Sequence, residues 1–280
     1  MSNFYQKLTQ SMLIAGGIIA SAPSAVATSF IISSGETVTT KQTLADGETG
    51  LIESGGFLNT ATTNAITTTG SGASAVITNN GTITTTADET AALIPLGTGD
   101  IIINNGTIST SGLNSDGMTD RGTGTVFTNN GSIITTGNRA EGILTTNFNN
   151  STYNNAGLID TSGDLSTGII TSGNNETINN SGTIITRGAD AHGIRFNASA
   201  GETLTVTNSG TIRTRGTGAA GITVNRSTTI TNSGLISPEG SSTDAIIGSG
   251  DADTLNLLSG SQIIGIIDLN GDTDIVNISG

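Results

Sequence analysis

The chain reads as all-β: a single right-handed parallel β-helix, a solenoid of coils about 25 residues long, preceded by a signal peptide. Three observations predict this. One glycine recurs at near-constant spacing through the chain. The residues around it alternate in character with a period of two. The first 27 residues differ from everything that follows.

The leader comes first. Lys7 supplies a short positive region, Met12 to Ala20 an apolar run, Pro23 a break, and Ala25-Val26-Ala27 a small-x-small cleavage pattern. The apolar run is too short to span a bilayer as a helix. Cleavage is expected after Ala27.

The repeat follows. Gly81, Gly106, Gly131, Gly157, Gly182, Gly210 and Gly234 are spaced 25, 25, 26, 25, 28 and 24 residues apart. Two residues before each stands Asn, from Asn79 to Asn232, and two after each stands Ile, from Ile83 to Ile236. Four before is always apolar (Ile77, Ile102, Phe127, Tyr153, Ile178, Val206, Ile230). Four after is Thr until Pro238 takes its place. Eleven after is Gly or Ala, followed by a further apolar column from Leu93 to Ile246. Period-two alternation is strand periodicity, and units of this length are shorter than propeller blades. The Asn column has the parity of the Ile column. It should point inward and bond to the Asn above and below. The glycine after it is expected in a backbone conformation closed to other residues.

The repeat frays at both ends. Gly55-Gly56-Phe57 lies one period before Gly81 but lacks the Asn. Asp253-Thr254-Leu255-Asn256-Leu257 recurs as Asp274-Ile275-Val276-Asn277-Ile278, 21 residues on. The expected layout is a signal peptide over 1–27 and one repeat domain over 28–280. Within it, N-terminal coils or a cap occupy 28–61, regular repeats 62–247 and shorter C-terminal coils 248–280.

Composition narrows the function. A formal net charge of −13 opposes a phosphate backbone or anionic lipid as partner. The chain has no Cys, which removes disulfide scaffolds and Cys-ligated metals. After the leader, no stretch is apolar enough for a membrane helix, and no direct membrane insertion is expected.

The Asn-Asn-Gly-Thr-Ile-type coils and the closing run from Gly250 through Ile267-Asp268-Leu269 to Val276-Asn277-Ile278-Ser279-Gly280 resemble the passenger region of bacterial autotransporters. That resemblance implies export in a Gram-negative cell, with display at the surface or outer membrane, or secretion. It implies an adhesive or structural role in virulence, with a cell-surface receptor or glycan as partner. It also implies a translocator barrel in the full-length protein, of which this chain is expected to be a fragment. A monomer is expected.

No residue is assigned a catalytic, metal or cofactor-binding role, no cofactor is expected, and the chain is read as a non-enzyme. His192, the only histidine, occupies the slot ten after the repeat glycine. That slot elsewhere holds Ala91, Asp116, Glu141, Thr167, Ala220 and Asp244, and such variety reads as solvent exposure. Gly248 to Leu255 partly matches a calcium-binding turn but reads as solvated acidic turns. Arg187 and Arg215 share one slot and should stack and repel, with Glu239 relieving Arg215. The alternative function is a polysaccharide-active β-helix lyase or hydrolase. It would need carboxylates or a base gathered on one groove, and in sequence the Asp and Glu are scattered.

Overall fold

A computed structural model describes residues 28–279 apart from 71, 73 and 147. The expected leader lies outside the described residues. Every element among the described residues is a strand. β1 (Thr28–Ile32), β2 (Thr37–Val38) and β3 (Gln42–Leu44) each found one sheet, here A, B and C. Each later coil adds one parallel strand to each, so that sheet A reaches eleven strands and sheets B and C ten. A typical coil runs Val126–Asn129 on A, Ser132–Thr135 on B and Ile143–Thr145 on C. The expected parallel solenoid is the observed fold.

The registry follows the repeat. Ile83, Ile108, Ile133, Ile159, Ile184, Ile212 and Ile236 pair in succession on sheet B and are fully buried. Phe127 pairs with Tyr153 and Tyr153 with Ile178 on sheet A. With a coil rise of about 4.8 Å, like side chains meet directly. Burying each Ile contributes roughly 1.5–3 kcal/mol before chain entropy is deducted. Residues 28–61 are coils: β1 pairs with Thr49–Ile52, which pairs with Val76–Asn79. The shorter closing coils also keep register, Leu255 opposite Val276.

The Asn column turns inward as expected. Asn79 Nδ2 donates to Asn104 Oδ1, and the relay continues through Asn129, Asn155, Asn180 and Asn208 to Asn232, every step 2.7 or 2.8 Å. Ser261 Oγ accepts the last donation at 2.7 Å. The Thr column is also buried. The hydroxyls of Thr110, Thr135, Thr161, Thr186 and Thr214 donate to carbonyls five residues on.

The role expected of the repeat glycines needs correction. None has a positive φ. Instead, a Cβ at Gly106, Gly131, Gly157, Gly182, Gly210 or Gly234 would lie 2.0–2.2 Å from the backbone oxygen of the repeat glycine one coil earlier. The column is glycine because successive coils touch there. The left-handed conformation falls eight residues after the repeat glycine, on Glu89, Asn114, Arg139, Leu165 and Asp190 (φ 52° to 59°) and on Gly218. A non-glycine residue costs about 1–2 kcal/mol in this conformation.

Candidate functional site

The slot ten after the repeat glycine leads into sheet C, and it is not exposed. Ala91, Asp116, Glu141, Thr167 and Ala220 are buried, and His192 and Asp244 half-buried. What varies along this column is how a backbone N–H is satisfied. Asn64 Oδ1 accepts from Ala91 N at 2.8 Å, Asp116 Oδ1 from Glu141 N at 2.9 Å, and His192 Nδ1 from Ala220 N at 3.0 Å. Burial lowers the His192 pKa, assisted by the Arg195 charge and opposed by Asp190, which keeps Nδ1 free to accept.

Asp116 and Glu141 sit one coil apart, 5% and 9% exposed, with their carboxyl groups hydrogen-bonded to each other. Burial raises both. Glu141 is pushed up to about 9, first by burial, then by its hydrogen bond to Asp116 and by the Asp116 charge. Glu141 is therefore protonated at neutral pH, since two adjacent carboxylates resist joint ionisation. Asp116 also accepts from Thr119 Oγ1 at 2.6 Å.

The pair lies in a groove of about 610 Å³ along the outer side of sheet C. Ile94, Leu144, Leu165 and Ile170 supply its apolar lining, and Arg121, Arg139 and Arg195 its cationic one. Thr119, Leu144, Ile170 and Arg195 form one outward column on consecutive coils. Residues scattered in sequence are thus gathered by stacking.

Residues 26–265 match the family model described as the BigA third pectate lyase-like domain. The chain belongs to that family. No curated protein and no solved structure matches it.

Inside the solenoid, this BigA-type domain carries a second polar cluster. Asp120 is fully buried. It accepts from Tyr153 Oη at 2.6 Å and from Thr125 Oγ1 and Gly122 N, both at 2.9 Å. One corner column uses side-chain oxygens to accept N–H groups of the previous coil. Asp100 accepts from Ala75 N at 2.9 Å, Ser151 from Thr125 N at 3.2 Å, and Asp253 from Thr228 N at 2.8 Å. Glu176 occupies the same column, but its Oε1 accepts only a long bond from Ser151 N, 3.4 Å, and its Oε2 is buried without a partner. Burial pushes Glu176 up to about 8.

A raised carboxyl pKa in the folded state has a definite sign. Unfolded, Glu176 and Glu141 ionise above their ordinary value of 4.5; folded, they hold their protons to about 8 and 9. Their contribution is fully present below 4.5 and is lost as pH rises through those higher values. His192 acts oppositely: its contribution is present above 6.5 and lost on acidification through its lowered value. Urea unfolding should therefore show greater stability near pH 5 than near pH 8.5. Glu176→Gln, which mimics the protonated form, should flatten that slope and add about 3 kcal/mol near pH 8. A variant no more stable than wild type there would refute this.

The acidic turn of the BigA-type domain is already satisfied. Asp253 accepts from Ser249 N at 2.8 Å and Ser249 Oγ at 3.1 Å, besides Thr228 N. Arg187 does not stand unrelieved above Arg215. It makes a bidentate pair with Asp160, 3.0 and 2.7 Å, while Arg215 pairs with Glu239 at 2.9 Å. The sequence reading missed Asp160 because it lies in another slot of the neighbouring coil, in the sheet B strand Leu158–Thr161.

Proposed function

We propose that this chain is an exported, non-catalytic structural and adhesive module, displayed in the manner of an autotransporter passenger. One observation carries the reading: three buried aspartates are occupied in holding coils together. Asp100, Asp116 and Asp253 accept backbone N–H groups of adjacent coils. The leader-like residues before β1 and the match to the BigA third-domain family support export and a β-helix role.

A second reading, a polysaccharide-active enzyme, draws on Asp116 and Glu141, because raised carboxyls in a groove mark functional sites elsewhere. Their mutual hydrogen bond weighs against glycoside hydrolysis. That chemistry holds its carboxyls about 5 Å or more apart to admit the sugar.

In its native host, the exported protein should have an intact mass that begins at Thr28, antibodies should label unbroken cells, and deletion should reduce attachment. A mature protein still starting at Met1, or labelling only after lysis, refutes display. Release of new reducing or unsaturated ends from polysaccharide by the purified chain, abolished by Glu141→Gln, would replace this reading with the enzymatic one.

A further inference from the structure

We propose that the groove on sheet C receives an acidic, partly aliphatic segment of a partner polypeptide, held by Arg121, Arg139 and Arg195. The proposal rests on the adhesive reading above and names the chemistry of its partner. The starting point is which arginines are already engaged. Arg187 pairs with Asp160, Arg213 and Arg215 with Glu239, and Arg226 with Asp251. Arg121, Arg139 and Arg195 form no ion pair among the described residues, and all three line this one groove. In a chain of net charge −13, three unpaired cations in one concavity are out of keeping with the rest of the surface.

The carboxyl pair sharpens the contrast. With Glu141 protonated, the groove faces its occupant with three cations against no more than two anions, Asp116 and Glu89. Ionising both carboxyls of the pair would bring the count level. A negatively charged occupant is complementary, and guanidinium groups bind carboxylates with two parallel hydrogen bonds.

The apolar lining selects between anionic polymers. It is aliphatic, and among the described residues no aromatic ring lines the groove to stack against a sugar face. Aliphatic side chains of a peptide fit it better than pyranose rings. The outward column from Thr119 to Arg195 spans three coil steps, about 14 Å. That length matches roughly four residues of extended polypeptide laid along the solenoid axis.

Fluorescence anisotropy of the purified full chain tests the idea, at about 20 mM salt to limit screening. The probes are a labelled peptide alternating Asp and Val, its Lys–Val counterpart, and labelled polygalacturonate. The acidic peptide should bind and the basic one should not. Arg121→Ala combined with Arg195→Ala should weaken binding at least ~10-fold, whereas Arg187→Ala with Arg215→Ala should change it less than about 2-fold. Unchanged circular dichroism checks folding, and if the alanine pair misfolds, Arg121→Gln with Arg195→Gln replaces it. The proposal is overturned by no binding of the acidic peptide, by equal binding to both double variants, or by polygalacturonate binding in its place with the same arginine dependence. Failure here with surface labelling and attachment intact removes only the groove's role. Failure of surface labelling leaves the peptide result standing and removes the display reading instead.

Discussion

Gly157→Ala should destabilise the solenoid by about 4 kcal/mol or more, seen as a lower urea midpoint. The new Cβ would lie 2.1 Å from the Gly131 carbonyl oxygen and 2.8 Å from the Asn130 carbonyl carbon. Both are backbone atoms, so no rotamer change relieves the contact. Those same groups bind the coils together: Leu158 N donates to Gly131 O and Gly157 N to Asn129 O, each at 2.9 Å. Pushing the coils apart by an ångström breaks these bonds and opens the Ile stack beside them. Gly271→Ala is the control, because nothing lies within 4 Å of its added carbon; it should stay within about 0.5 kcal/mol. If the two variants melt alike, close approach is not what keeps the repeat column glycine.

Asn129→Ala should cost about 3–5 kcal/mol in the same measurement. The Asn129 amide accepts from Asn104 at 2.7 Å and donates to Asn155 at 2.8 Å and to the Leu158 carbonyl at 3.0 Å. Alanine takes the Asn129 donor from the buried Asn155 Oδ1, one acceptor from Asn104 Nδ2, which keeps the Ser132 carbonyl at 3.2 Å, and one donor from the half-buried Leu158 carbonyl; each lost buried partner costs about 1–3 kcal/mol. Water does not replace the bonds to Asn104 and Asn155, since both are buried. Asn277→Ala removes a similar bond to Asn256, 2.8 Å, but at an exposed site. It should cost less than about 0.5 kcal/mol. A small loss at Asn129 would mean the relay is incidental to stability.

The fold was legible because its determinants repeat. Ile at one offset and Asn at another recur in every unit, and stacking rewards identity, so registry can be read from letters alone. Backbone conformation was less legible. Glu89, Asn114, Arg139, Leu165 and Asp190 share a left-handed turn yet no chemistry, so no column of letters marked it. The groove was hidden for a related reason. Its slot accepts Ala, Asp, Glu, Thr and His, which read as exposure. In fact Asp116 and His192 there each accept a backbone N–H of the next coil. Asp120, Tyr153 and Glu176 were invisible because a cluster built from three adjacent coils occurs once and leaves no period. The signal that remained was weak: two acidic residues, Asp116 and Glu141, in the same slot of consecutive units.

Each coil in this molecule packs on the one before it and the one after it, sheet by sheet. Tension applied along the axis therefore meets a series of similar joints, with no central keystone whose failure would release the rest. Such a stack gives way in increments, shedding one turn of chain while those behind it stay folded.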